Sequence, residues 1–185
     1  MNLIRADASV LVLVDYQSRL LPAIHGGAEA LGRAVLMADA ARVLGIAVYG
    51  TEQNPKGLGP NDEAVRSRCG AILSKMHFDA CADGLAEMLL TAGGRPPDDV
   101  VIAGCEAHVC LLQTAVGLLE AGFTVRVVAD ASGSRVAANH ALAMQRLRDA
   151  GATIVSAEMV VFEWLESCGH ARFKPVLALL KGPAA

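Results

Sequence analysis

Apolar residues fall in two patterns along this chain, short unbroken runs and longer stretches of helical period, and the two alternate from one end to the other. "ASVLVLVDYQ" holds a continuous run of valine and leucine, the mark of a strand covered on both faces. "GIAVYGTEQ", "AILSK" (71–75), "VVIAG" (100–104), "FTVRVVAD" and "ATIVS" repeat the pattern more briefly. Between Ala28 and Leu44 the apolar residues Leu31, Val35, Ala38 and Val43 recur at helical spacing, and Gly45 follows as a C-cap. Further helices are predicted over 80–92, ended by the turn cluster "GGRPPDD", over 108–121, closed by Gly122, and over 136–150, closed by Gly151. Two more are predicted around 158–166 and 173–181.

This alternation predicts an α/β fold, a single three-layer α/β/α domain over 1–185 with a six-stranded, mostly parallel sheet. Ligands of such sheets bind beyond the carboxyl ends of the strands, where the strand order reverses. Strand ends are therefore the places to search. The first ends at Asp15, the second at Thr51-Glu52-Gln53, the third at Lys75 and the fifth at Asp130. The fourth runs into "CEAHVC", with Cys110 in the first turn of the next predicted helix. The looser stretch "NPKGLGPNDEAVRSRCG" reads as a plain connection, a pocket wall or a lid.

Composition narrows the function classes. The chain is 54% hydrophobic but only 4% aromatic, and no run approaches the roughly 18 apolar residues of a spanning helix, so no membrane partner is expected. "MNLIRADASV" leads straight into a strand without a secretory pattern, which places the protein in the cytoplasm. Net charge is −3 and the basic residues form no stripe, which argues against nucleic acid. Five cysteines, an odd count in such a compartment, are read as reduced thiols.

A thiol becomes a nucleophile once it loses its proton, and a helix N-terminus or a nearby cation favours that loss. Cys110 has the first and Lys75 could supply the second. Asp15 could take the proton and return it to a leaving group. Backbone N–H groups between Gly104 and Cys110 could hold an oxyanion. Together these describe acyl transfer through a thioester. Each residue alone has a plainer reading: a packed thiol, a turn aspartate, a solvated lysine. Cys69, Cys81, Cys105 and Cys168 are read as structural. His77, His108 and Cys110 lack the spacing of a structural zinc site, and no dinucleotide or P-loop motif is present. "DASGSR" (130–135) reads as a turn, with anion binding as its alternative. A catalytically silent, partner-binding scaffold and a Cys105–Cys110 redox pair stay open as rivals.

Four stretches, "LVLVDYQ", "SKMHF", "GCEAHVCLLQTAVGLLEAGFTVRVVAD" and "SGSR", resemble the isochorismatase-like cysteine hydrolase superfamily, and the likeness runs on to "FKPVLALLK". The third stretch is the most specific. The resemblance implies an Asp-Lys-Cys triad, matched by Asp15, Lys75 and Cys110. It also implies a cis peptide at Cys105–Glu106 that aims the N–H groups of Glu106 and Cys110 at one oxyanion. It implies a homo-oligomer, a dimer or larger. "TEQNPKGLGP" has no histidine where nicotinamidases bind metal, so neither metal nor cofactor is expected; Cys110 argues against vinyl-ether hydrolysis. The expectation is a metal-independent hydrolase of a small amide or related carbonyl compound, with Gln17, Gln53, Phe78 and His108 against the substrate.

Overall fold

The computed structural model describes residues 2–91 and 96–181. Strands β1 (Ser9–Val14), β2 (Ala47–Gln53), β3 (Ala71–Lys75), β4 (Asp99–Gly104), β5 (Thr124–Val128) and β6 (Thr153–Val155) form one sheet in the order β3-β2-β1-β4-β5-β6. Every pairing is parallel. Helices α1 (Gly27–Leu44), α2 (Pro55–Leu58), α3 (Glu63–Arg66), α4 (Leu85–Thr91), α5 (Leu112–Glu120), α6 (Ala137–Asp149), α7 (Ala157–Leu165) and α8 (Phe173–Lys181) connect or follow the strands.

Two predicted helices are divided. The one over 80–92 is a 3₁₀ turn, Ala80–Asp83, followed by α4, because Gly84 takes a left-handed conformation (φ 100°) between them. The one over 108–121 begins as a wider π turn, Ala107–Leu111, and only then tightens into α5. Of the expected turn over 93–99, residues 93–95 lie outside the described residues.

Strict alternation makes β1 the keel of the molecule. Leu11 and Leu13 pack on one face with residues of α1, α7 and α8; Val10, Val12 and Val14 pack on the other with residues of α4, α5 and α6. β4 does the same, with Val101 and Ala103 on the first face and Val100 and Ile102 on the second. Each such valine, leucine or isoleucine side chain contributes ~1.5–3 kcal/mol on full burial. Because α1 and α5 leave on opposite faces, the chain diverges after β1 and after β4. That divergence opens the crevice in which ligands of such sheets bind.

The connection over 54–70 is tethered to β1's end. Gln17 Nε2 donates to Gly59 O at 2.6 Å, Arg19 Nη1 to Gly57 O at 2.8 Å, and Gln17 pairs with Asn61 in a β-bridge. Among the described residues, no helix is long and apolar enough to cross a membrane.

Gly104 sits opposite Val14, and a Cβ there would lie 2.3 Å from Val14 O. Gly104→Ala should therefore push β1 from β4 and cost ~1–3 kcal/mol or more of stability in urea unfolding. Gly32, inside α1 with open space around it, is the control. Gly32→Ala should gain ~0.5–1 kcal/mol.

Candidate active site

The ends of β1, β2 and β3 deliver four polar side chains to one buried cluster. Asp15 directly follows β1 in a left-handed conformation (φ 55°), which costs a residue with a side chain ~1–2 kcal/mol. Its N–H donates to Thr51 O at 3.2 Å. Lys75 Nζ lies 2.8 Å from Asp15 Oδ2, with both side chains shielded from solvent. The ammonium approaches off the angle of an aligned hydrogen bond, so Oδ2 is held by charge and keeps a lone pair for a proton. Oδ1 accepts from Thr51 Oγ1 at 2.7 Å.

Lys75 Nζ also donates to Gln53 Oε1 at 2.6 Å and faces the carbonyls of His77 and Phe78, each at 3.3 Å. Four oxygens thus surround the three donors of the Lys75 ammonium. Cys110 Sγ is 3.9 Å from Gln53 Oε1, the oxygen that Lys75 Nζ reaches, and lies in the field of both the Asp15 carboxylate and the Lys75 ammonium. Asp15 and Lys75 meet as a buried pair, and the Gln53 oxygen that Lys75 holds is the one Cys110 faces.

The surroundings of Cys110 do not favour a thiolate. Burial, and after it the Asp15 carboxylate, push the Cys110 thiol up to about 12; Lys75 opposes them and loses. Cys110 lies in the π turn that runs into α5, which starts at Leu112. At neutral pH the proton stays on sulfur until a base removes it.

The Cys105–Glu106 peptide bond is cis. The turn it belongs to is clamped on both sides. Cys105 N–H donates to Val14 O at 2.9 Å, Ala107 N–H to Gly133 O at 2.7 Å, and Gly133 N–H to Gly104 O at 3.2 Å. A Cβ on Gly133 would lie 2.4 Å from Ile24 Cγ2, so only glycine fits there. "DASGSR" is thus a brace for the turn, held in part by the Tyr16 hydroxyl donating to Ala131 O.

Among the expected substrate residues, Gln17 is spent on the protein's own backbone. It is fully buried, and both of its N–H donors are committed, to Gln53 O at 3.0 Å and Gly59 O at 2.6 Å; its Oε1 accepts from Gln53 N at 3.0 Å. Gln53 faces the cluster, but it orients Lys75 and ties back to Met76 O at 2.8 Å. Phe78 contributes its carbonyl while its ring is exposed. His108 turns to the β5 side, with Nδ1 3.0 Å from Ser134 Oγ. The Glu106 carboxylate accepts from Arg135 N and Nε at 2.9 and 3.0 Å, so its charge is matched by Arg135.

The isochorismatase domain family matches residues 9–159. This chain belongs to that family. Isochorismatase domain-containing protein 2 of Danio rerio is 33% identical over 176 residues, 95% of this chain and 88% of that one. Its Xenopus laevis namesake is 34% identical over 179 residues, 96% and 85% of the two chains. Among solved structures, the MAR1 ribonuclease from Caenorhabditis elegans superposes with a TM-score of 0.91 at 31% identity, covering 100% of this chain and 95% of that one. The Escherichia coli YcaC protein, an octameric hydrolase of unknown specificity, superposes at 0.83 with 22% identity over 91% and 84% of the chains, a likeness of fold.

Sequence reasoning missed Thr51, the residue bonded to Asp15 at both backbone and carboxylate, although "TEQ" stood among the strand endings. A threonine in a strand reads as a β-former, and only the pairing of Val14 with Thr51 exposes the second role. Glu106–Arg135 was also missed, being 29 residues apart with no local signal. Among the described residues, no group of three or more His, Cys, Asp or Glu could hold a metal ion.

The protonated thiol has a spectroscopic consequence. Difference ultraviolet spectra of wild type minus Cys110→Ala should show no thiolate absorbance near neutral pH. That absorbance should appear only at strongly alkaline pH, because the folded protein binds the proton more tightly than a free thiol does. A full thiolate band at pH 7 would contradict the geometry's electrostatics.

Proposed function

We propose that the protein is a metal-independent hydrolase that opens a small amide or related carbonyl compound through a Cys110 thioester. The convergence of Asp15, Lys75 and Cys110 in one buried cluster, in an isochorismatase family member, carries the reading. Asp15 Oδ2 takes the thiol proton as Sγ bonds to the substrate carbonyl carbon. The N–H groups of Glu106 and Cys110 receive the carbonyl oxygen as it becomes an oxyanion. Asp15 then passes its proton to the departing nitrogen, the C–N bond breaks, and the amine or ammonia leaves. Water, deprotonated by the same carboxylate, attacks the thioester and releases the acid with the thiol restored. Lys75 holds the carboxylate in place and offsets the negative charge that builds on sulfur.

The MAR1 likeness raises ribonuclease activity as a second reading, since that neighbour bears the name at 31% identity. This chain's features favour the small substrate. Cys110 is almost fully buried, the net charge is −3, and the ammonium that could meet a phosphate is already enclosed by four oxygens.

Ammonia release from a panel of primary carboxamides, run beside a single-stranded RNA, separates the readings. Turnover of an amide should fall at least ~10³-fold in Cys110→Ala with circular dichroism unchanged. RNA cleavage that persists in Cys110→Ala, with no amide turned over, would replace this reading with the ribonuclease one. Absence of both activities would favour the silent scaffold.

A further inference from the structure

Lys75 alone does not orient the Asp15 carboxylate. A carboxylate turns easily about its last torsion, where the preference is broad and two-fold. Lys75 meets Oδ2 at 2.8 Å but off the hydrogen-bonding angle, and its other contacts hold it toward Gln53, His77 and Phe78. Proton transfer from Cys110 requires one oxygen to face the thiol steadily. Something else has to hold the opposite oxygen.

We propose that Thr51, through its Oγ1 hydrogen bond to Asp15 Oδ1 and its carbonyl bond to the Asp15 N–H, is the positioning residue that keeps Oδ2 turned toward Lys75 and Cys110. This rests on the reading of Asp15 as the base for Cys110. Thr51 grips one residue at two points, Oγ1 to Oδ1 at 2.7 Å and its carbonyl to the Asp15 N–H at 3.2 Å. The second bond supports the left-handed backbone that carries the carboxylate. Thr51 is itself rigid. It is fully buried, it pairs with Val14 in the sheet, its carbonyl also accepts Asn61 Nδ2 at 2.9 Å, and its branched Cβ restricts χ1. A hydroxyl on such a side chain is fixed in direction by the strand. β2 thus supplies no reacting group, yet two of its alternate residues, Thr51 and Gln53, hold the acid and the ammonium from one face of the strand.

Packing and positioning make opposite predictions for two variants. Thr51→Val keeps the shape and loses the hydroxyl; Thr51→Ser keeps the hydroxyl and loses the methyl. The readout is the rate of Cys110 carbamidomethylation by iodoacetamide from mildly acidic to alkaline pH, followed by peptide mass spectrometry. Exposed Cys168 serves as the internal standard, and Asp15→Asn is run alongside. Thr51→Val should slow Cys110 near neutral pH by ~10-fold or more, as a displaced catalytic group does. Its pH profile should move toward that of Asp15→Asn, while Thr51→Ser stays close to wild type and Cys168 reacts alike in all. Should Thr51→Val fail to fold, Thr51→Ala against Thr51→Ser gives the same contrast. A wild-type profile in Thr51→Val beside a slowed Asp15→Asn overturns this inference alone. An unaffected Asp15→Asn overturns it together with the proposed function.

Discussion

Everything at the carboxyl edge of the sheet depends on one buried ion pair, Lys75 with Asp15. Taking either charge out of water alone is expensive, and removing one partner from a buried pair typically costs ~3–5 kcal/mol. The ends of β1 and β3 are not neighbours in the sheet; β2 lies between them. The pair therefore bridges over β2, and β2 meets it with Thr51 on the acid and Gln53 on the ammonium. The carbonyls of His77 and Phe78 complete the enclosure, so the residues after β3 are held around Nζ as well. Stability and site geometry share the same bonds here, which is why the cluster has so little exposed surface.

Cys110 enters from the other side of the switch point. Its turn is clamped to β1 through Val14 and to the 130–135 segment through Gly133. The thiol arrives protonated, because burial and the Asp15 carboxylate outweigh the ammonium. A thiol held this way depends on a base to lose its proton, which is the part the proposed function gives to Asp15.

Much of this was legible in the chain, and the reasons differ by feature. Strands covered on both faces leave unbroken apolar runs, so β1 and β4 stand out as "LVLV" and "VVIA", and the residues after each run, Asp15 and Gly104-Cys105, mark the edge where ligands of such sheets bind. Asp15 and Lys75 close two such runs, and Cys110 lies in the turn after a third. What stayed hidden depends on pairing between distant segments. Gln17 looked like a pocket residue because nothing local shows that its amide is spent on Gln53 and Gly59. Residues 107–111 have ordinary helical composition, and nothing local marks their widening into a π turn. The thiol's raised proton affinity is likewise tertiary, arising from enclosure rather than from the residues beside it in sequence.

In the proposed function, Asp15 makes Cys110 the acyl-accepting nucleophile. The most direct test is to mix the protein with p-nitrophenyl acetate at neutral pH, quench in acid at short times, and map acetyl groups by peptide mass spectrometry. The account predicts an acetyl thioester on Cys110 in the wild type and its loss in a folded Asp15→Asn variant. Acetyl groups on exposed Cys168 and surface lysines, with Cys110 untouched, would contradict it.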